Sequence, residues 1–191
     1  MENKGLIQVY TGNGKGKTTA ALGLALRAVG CGWKVAFIQF LKGSSYTGEL
    51  FSTARFGEQW HYAQFGWGCP FSALIRHGQM VCSKCGQCFR ENRNHAHNFA
   101  PLALAYAKKM AATGQYKLLV LDEISHAIRW GLLTVDEVLE FLQRKPSELE
   151  VVLTGRQMAP EILAAADLVT ELAALKHPLE RGIPSRRGIE Y

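Results

Sequence analysis

A glycine- and lysine-rich loop near the N-terminus constrains the fold of this chain most strongly. An apolar run from Gly5 to Thr11 leads into Gly12-Asn-Gly-Lys-Gly-Lys-Thr-Thr19, and an alanine- and leucine-rich segment continues to Ala28. This order predicts a strand, a phosphate-binding loop and a helix. Backbone N–H groups of such a loop converge on phosphate oxygens, and the helix N-terminus adds partial positive charge. We therefore expect a nucleoside triphosphate as the first ligand.

The loop matches the pattern G-x-x-x-x-G-K-[ST] with one departure. Gly16, Lys17 and Thr18 fit, but Thr11 stands at the first position and the glycine is displaced to Gly12. Lys17 is expected to reach the outer phosphates and Thr18 to ligate Mg²⁺. The alternative is a glycine-rich turn that only opens a helix. The residues expected to bind ATP here are Gly12, Asn13, Gly14, Lys15, Gly16, Lys17, Thr18 and Thr19.

Strand-like and helix-like segments alternate along the rest of the chain. Apolar runs predict strands at 33–41, 59–65, 117–121, 151–154 and 168–172, and helical patterns cover 95–113, 135–144 and 160–166. This alternation favours an α/β fold of the P-loop NTPase type, RecA-like, with a mainly parallel sheet and helices on both faces. We expect one domain over residues 1–191, with a cysteine-rich insertion at about 66–94.

Composition and charge narrow the function classes. No apolar run in the 191 residues approaches the roughly 20 needed to cross a bilayer, and no secretory leader pattern is present. The sequence therefore predicts a cytoplasmic protein without a membrane partner. The formal charge of +6 could serve nucleic acid, an anionic surface or a polyphosphate ligand, and the predicted triphosphate is the simplest explanation.

Two further segments carry candidate site residues. The apolar run that ends in Asp122-Glu123 has the form of a Walker B strand, whose carboxylates approach the Mg²⁺ held at a phosphate loop. The alternative is that one of them caps the next helical turn. Arg156 follows a buried strand and could hold a phosphate, although a surface arginine in a turn fits as well. For His126 and His177 we favour an ordinary packed or surface histidine.

The order and spacing of these segments resemble one known family. The motifs that carry the resemblance are Tyr10-Thr-Gly-Asn-Gly-Lys-Gly-Lys-Thr-Thr19, Gln39-Phe-Leu-Lys-Gly43, Val120-Leu-Asp-Glu123, Leu153-Thr-Gly-Arg156, Lys176-His-Pro178, Gly182 and Gly188-Ile-Glu-Tyr191. Together they are similar to the P-loop-type corrinoid adenosyltransferases, which act on cobalamin or its precursors. The resemblance covers most of the chain outside the cysteine-rich insertion.

The resemblance implies a reaction in which the Co(I) of a reduced corrinoid attacks the ribose C5′ of ATP and expels inorganic triphosphate. It implies that the phosphate loop grips the triphosphate, that Thr18 and Glu123, with Asp122 nearby, support Mg²⁺ or Mn²⁺, and that Arg156 contacts the nucleotide. A homodimer is implied, and Co(II) reduction would need a reductase or flavin donor. Because Co(I) is itself the nucleophile, no general base is expected.

The same resemblance implies a role for two aromatic residues. Phe65 and Trp67 match a Phe-x-Trp pair that lies near the corrin and keeps a lower axial ligand off the cobalt. The alternative is that both are core aromatics. With Lys17, Thr18 and Glu123, they complete the expected catalytic set.

The cysteines are the main departure from the family. Four of the five, Cys69, Cys82, Cys85 and Cys88, lie close together in the chain. Such clustering in a cytosolic chain predicts a metal site, either a [4Fe–4S] cluster or Zn²⁺. Free thiols in a flexible loop are the alternative, and Cys31 is expected to be a lone structural thiol. An iron–sulfur cluster beside the aromatic pair could pass an electron to Co(II).

Two other function classes remain open on sequence alone. One is a P-loop ATPase with a zinc or iron–sulfur module that acts in regulation or nucleic-acid binding, for which salt-sensitive oligonucleotide binding would be diagnostic. The other is a corrinoid or metal carrier that uses ATP only as a gate. We favour the adenosyltransferase, for which no nucleic-acid partner is expected.

Overall fold

Six parallel strands form one sheet in the computed structural model, which describes residues 4–43, 47–80, 87–183 and 185–190. The strands are β1 (Ile7–Thr11), β2 (Val35–Phe40), β3 (Trp60–Phe65), β4 (Leu118–Asp122), β5 (Glu150–Thr154) and β6 (Leu168–Glu171). Their order across the sheet is β3-β2-β4-β5-β1-β6. Strand β5 thus separates β1, which leads into the phosphate loop, from β4, which ends in Asp122.

Helices connect these strands. In the described residues they are α1 (Lys17–Gly30), α2 (Gly48–Thr53), α3 (Ser72–Arg76), α4 (Gln87–Glu91), α5 (Ala100–Ala112), α6 (Ile124–Arg129), α7 (Val135–Arg144) and α8 (Pro160–Ala165). Short 3₁₀ turns cover Ala54–Gln59, His95–His97 and Pro178–Arg181. None of the helices within the described ranges is long and apolar enough to span a membrane.

Alternating strand residues build a core on each face of the sheet. On one face, Val35 and Phe37 of β2 pack with the buried alanines of α1. On the other, Ala36, Ile38 and Phe40 pack with α5 and with apolar residues of α7 and α8. Successive strand side chains point to opposite faces, so strands covered on both sides are apolar on both, as β2 and β4 are except at Gln39 and Asp122. The predicted α/β fold with helices on both faces is confirmed.

Two predicted elements differ in detail. The helix expected at 95–113 begins only at Ala100, because the Asn98 side chain accepts a hydrogen bond from the Ala100 N–H (3.0 Å) and the 3₁₀ turn His95–His97 precedes it. The last apolar strand is present as β6, but it lies at the sheet edge and its four residues are exposed. The division into one domain and an insertion stays a prediction.

Candidate active site

The phosphate loop lies between β1 and α1 at the carboxyl end of the sheet. Gly12 and Gly16 have φ values of 96° and 110°, a region that favours glycine. A Cβ added at Gly12 would lie 2.5 Å from the carbonyl oxygen of Leu172, and the Gly14 N–H donates to that same oxygen (2.7 Å). The displaced glycine at position 12 is therefore required by the chain that passes beside it after β6.

Lys17 is buried and curls back over the loop. Its Nζ donates hydrogen bonds to the carbonyl oxygens of Gly12 (2.8 Å) and Gly14 (2.6 Å). Burial lowers the pKa of Lys17, and nearby Arg156 lowers it further, whereas Glu123 acts in the opposite direction. The ammonium group is thus held at the loop by carbonyl groups that an anionic ligand can replace.

Asp122 is the centre of a buried hydrogen-bond network at the end of β4. Its Oδ1 accepts from the hydroxyls of Thr18 (2.8 Å) and Thr154 (2.7 Å). Its Oδ2 accepts from Gln39 Nε2 (2.9 Å) and Lys42 Nζ (3.2 Å). The carboxylate is fully buried, and four donors satisfy it, from the end of β2, the loop after β2, the end of β5 and the first turn of α1. Asp122 therefore joins the phosphate loop to the strands beside it.

Glu123 points differently from Asp122 because its backbone is left-handed, with φ 62°. Its N–H donates to Thr154 Oγ1 (3.0 Å), and its Oε2 lies 2.7 Å from His126 Nδ1. Within the described residues the geometry of that contact is poor for a hydrogen bond, so neither atom has a well-directed partner. Burial raises the pKa of Glu123, but His126, Lys42 and Lys17 outweigh it and leave the pKa below its usual value.

Lys17 and Glu123 face a cleft of about 960 Å³. The phosphate loop, Lys42, Glu49, Glu123 and Arg156 line it, together with residues near the C-terminus. The cleft thus has cations and carboxylates around one open space, which is the arrangement that an anionic phosphate chain with a divalent cation requires.

Arg156 reaches the cleft through a tight turn after β5. The Ser125 hydroxyl donates to the Arg156 carbonyl oxygen (2.9 Å), and a Cβ added at Gly155 would lie 1.9 Å from Ser125 Oγ. With φ 140°, position 155 requires glycine for two independent reasons. The structure therefore brings Arg156 together with the phosphate loop and Glu123 around the cleft.

Comparison with known proteins identifies the family. The model of the ATP:corrinoid adenosyltransferase family BtuR/CobO/CobP matches residues 3–191. The chain belongs to this family. It is 34% identical to a corrinoid adenosyltransferase of Pseudomonas aeruginosa over 190 residues, covering 100% of this chain and 85% of the relative. The corrinoid adenosyltransferases of Escherichia coli K12 (33%) and Salmonella typhimurium (34%) match 100% of this chain and 88% of their own lengths.

A solved structure has a similar fold. The flagellar accessory protein FlaH from Methanocaldococcus jannaschii superposes with a TM-score of 0.58, covering 88% of this chain and 71% of its own, at 12% identity. At that identity the likeness concerns the fold alone. The predicted family and enzyme class, ATP:corrinoid adenosyltransferase, and the predicted RecA-like fold are confirmed.

The aromatic pair expected in this adenosyltransferase lies beside the cleft. Phe65 ends β3 and packs on Tyr106, with ring centroids 5.4 Å apart, whereas Trp67 is exposed and lies 5.0 Å from the His97 ring. A Cβ added at Gly66 would lie 2.4 Å from the backbone nitrogen of Lys42. The loop that carries the pair thus contacts the loop that carries Lys42, although neither aromatic lines the cleft.

Asn92 joins the cysteine-rich region to the loops that follow β2 and β3. This buried side chain accepts from the Trp67 N–H (2.6 Å) and donates to the carbonyl oxygens of Leu41 (2.9 Å) and Cys88 (3.2 Å). Cys69 is buried, whereas Cys31 is exposed.

The four-cysteine site stays a prediction. Cys82 and Cys85 lie outside the described residues. In the ranges that are described, no group of three or more His, Cys, Asp or Glu side chains is arranged to hold a metal ion.

Sequence reasoning missed Lys42, Gln39 and Thr154 as site residues. Lys42 follows β2 after Leu41, whose φ of 60° is unusual for a buried leucine. Burial lowers the pKa of Lys42, but the neighbouring carboxylates of Asp122, Glu123 and Glu49 raise it on balance. The sequence signal that could have identified Gln39, Lys42 and Thr154 is their position at or just after the ends of buried strands, since ligands bind at the carboxyl edge of parallel sheets.

His126 also lies at the site, although no role there was predicted for it from the sequence. It is a packed histidine, one of the two possibilities favoured from the sequence. It lies against Glu123 and edge-on to the rings of Phe89 and Trp130, with centroids 5.3 and 5.6 Å away. Arg93 lies over the Trp130 ring, 4.7 Å from its centroid. Helix α4 and the segment after it therefore cover the side of His126 beyond the cleft.

Proposed function

We propose that this protein transfers the 5′-deoxyadenosyl group of ATP to the Co(I) centre of a reduced corrinoid. The electron pair of Co(I) forms the cobalt–carbon bond to C5′, the C5′–O bond breaks, and its electron pair leaves with inorganic triphosphate. The observation that carries the proposal is a cleft that Glu123 and Arg156 line together with Lys17 and Thr18 of the phosphate loop, in a chain of the corrinoid adenosyltransferase family.

The leaving triphosphate accounts for the cations of the cleft. Lys15, Lys17, Lys42 and Arg156 all line it, and preorganised positive charge stabilises a leaving group that gains negative charge in the transition state. Lys17 would exchange its two carbonyl partners for phosphate oxygens. Gly12 to Thr19 would supply the backbone N–H groups.

The residues of the cleft also fit Mg²⁺ or Mn²⁺. Thr18 and Glu123 offer oxygen ligands, and Glu123 Oε2 is buried without a well-directed hydrogen bond among the described residues. Mg²⁺ is usually held by one or two carboxylates together with phosphate oxygens, and it would neutralise charge on the triphosphate. Because Asp122 already accepts from four donors, we assign it to orienting Thr18 and Lys42, with Glu123 as the carboxylate nearest the metal.

We assign the corrinoid to the neighbouring loops after β2 and β3. There Phe65 and Trp67 would keep a lower axial ligand off the cobalt, and the exposed Trp67 ring supports this placement. Whether cobalamin or a precursor is the substrate is a separate question, answered by comparing their kcat/KM values. The Co(II) form would be reduced by a reductase or flavin, and the enzyme would act as a homodimer, which light scattering tests.

For the cysteines we retain the proposal of a [4Fe–4S] cluster or Zn²⁺ held by Cys69, Cys82, Cys85 and Cys88. Its support is the clustering of thiolates in the sequence. Anaerobic purification followed by metal analysis tests it. A visible absorption band bleached by dithionite identifies iron–sulfur, a stoichiometric colourless metal identifies zinc, and protein without metal contradicts the proposal.

An anaerobic assay with ATP, Mg²⁺ and chemically reduced Co(I) corrinoid tests the proposed reaction. The adenosylcorrinoid spectrum and the phosphate product are followed together. We expect a cobalt–carbon product and triphosphate in equal amounts, and about 10²-fold less of both from Glu123→Gln at the same enzyme concentration and time. ADP and phosphate with no change at cobalt would contradict the proposal.

A further inference from the structure

A carboxylate near the C-terminus contacts the phosphate loop. Glu190 Oε1 lies 2.5 Å from Lys15 Nζ, and both residues line the cleft. Lys15 is the second cation of the loop and has no role in the ordinary phosphate-loop pattern. Glu190 therefore places a negative charge beside Lys15, a cation that the triphosphate would also attract.

Residues 185–190, which we call the strap, hold Glu190 in this position. The Arg186 N–H donates to Glu190 Oε2 (2.6 Å), and Arg186 Nη2 lies 3.2 Å from Oε1. Arg187 Nη2 donates to the Arg76 carbonyl oxygen (3.1 Å), which attaches the strap to α3. Ser185, Gly188 and Ile189 also line the cleft. The strap is thus one wall of the site and is anchored on its far side.

Glu190 is ionised at any working pH. Hydrogen bonds from Arg186 and Lys15 lower the pKa of Glu190 to about 2. Its side chain is 19% exposed, and that of Lys15 is 43% exposed, so water and salt partly screen the pair. A contact of this kind is weak enough for a multiply charged ligand to replace it.

We propose that Glu190 is a positioning residue that pairs with Lys15 when no triphosphate is bound. The ion pair breaks when ATP binds Lys15, and it forms again as inorganic triphosphate leaves. The proposal rests on the proposed function, since triphosphate is its product. A product with several negative charges in a cationic cleft leaves slowly, and a tethered carboxylate that competes for one cation speeds its departure. Glu190 acts through Lys15 and touches none of the reacting atoms.

Titration calorimetry with inorganic triphosphate tests this without corrinoid chemistry. We expect Glu190→Gln to bind triphosphate about two- to fivefold more tightly than the wild type, because an exposed ion pair opposes binding by only a modest amount. In steady-state assays the same variant should show a correspondingly lower inhibition constant for triphosphate. A merely structural role of Glu190 would weaken binding.

Two further variants make the result specific. In a Lys15→Gln background, Glu190→Gln should leave triphosphate affinity unchanged, because no ammonium group remains for the carboxylate to occupy. Glu148→Gln is the matched control, since Glu148 pairs with Lys117 (2.7 Å) just before β5 and β4, at the opposite end of these strands from the cleft, and the variant should bind triphosphate as the wild type does. Circular dichroism and thermal melts confirm that each variant is folded.

The outcomes separate this proposal from the proposed function. Three results would each overturn the role of Glu190. The first is equal or weaker triphosphate binding by Glu190→Gln, and the second is tighter binding by Glu190→Gln in the Lys15→Gln background as well. The third is no triphosphate binding by the wild type. Tighter binding by Glu190→Gln supports it even if the wild type forms no cobalt–carbon bond, an outcome that would contradict only the reaction.

Discussion

Replacement of Asp122 by asparagine tests the network that joins the phosphate loop to the sheet. The carboxylate accepts four hydrogen bonds, two at each oxygen, whereas an amide offers one acceptor oxygen and one NH₂ donor. If the NH₂ faces Gln39 and Lys42, donor meets donor. If it faces Thr18 and Thr154, their hydroxyl hydrogens lose their acceptor. Either orientation leaves two groups without partners and removes the charge opposite Lys42.

The cost of Asp122→Asn follows from these losses. A buried polar group left without its partner costs about 1–3 kcal/mol, and more when it is charged. The Lys42 side chain is 26% exposed, so water recovers part of its loss. We therefore expect the free energy of unfolding to fall by about 3 kcal/mol. For a chain of this size that lowers the Tm by about 6–12 °C.

Urea unfolding and thermal melts at pH 7 measure this effect. Asp136→Asn is the matched control, since Asp136 is exposed in the first turn of α7 and should change stability by at most about 0.5 kcal/mol. In a Lys42→Met background, Asp122→Asn should cost about 1 kcal/mol less, because the ammonium group no longer faces the amide. A Tm within 2 °C of the wild type would refute the reasoning.

Three further variants test other parts of the structure. Gly155→Ala should lower the free energy of unfolding by about 2–4 kcal/mol in urea unfolding, since its Cβ meets Ser125 Oγ and its φ is 140°; an unchanged urea midpoint would contradict this. Glu123→Gln should lower the kcat/KM of adenosylation about 10²-fold, and a loss below tenfold would argue against its role. Hydrogen bonds from Thr134 lower the pKa of Glu137, so its stabilisation is present above the ordinary carboxyl pKa and is lost as pH falls through the folded value. Melts of Glu137→Gln should therefore show a lower Tm than the wild type at pH 7, and the difference should shrink as the pH falls through the folded pKa.

Local patterns were predicted correctly where neighbouring residues decide the structure. Thr134-x-x-Glu137 has the sequence pattern of a capping box, and both of its reciprocal hydrogen bonds are present at the start of α7. The phosphate loop and the apolar strands β2 and β4 were also located from the sequence. In each case the signal is short-range, because a cap, a glycine turn or a doubly buried strand is encoded within a few residues.

Adjacent carboxylates show where local reasoning ends. The sequence placed Asp122 and Glu123 together at the metal side, and only the family resemblance favoured Glu123 as the metal-supporting residue. The structure buries Asp122 among four donors and turns Glu123 into the cleft, because Glu123 has a left-handed backbone and its N–H bonds to Thr154 on the neighbouring strand. That turn depends on a contact between residues 31 positions apart in the chain.

The sequence by itself determined the fold class, the phosphate loop, the family and the residue types of the site, because these depend on periodicity, glycine spacing and ordered motifs. Only the tertiary structure showed that Gln39, Lys42 and Thr154 meet at Asp122, and that Glu190 reaches Lys15 across 175 residues. The physical reason is the strand order, which brings β2, β4 and β5 side by side. Side chains that are far apart along the chain become hydrogen-bond partners only once the sheet has set that order.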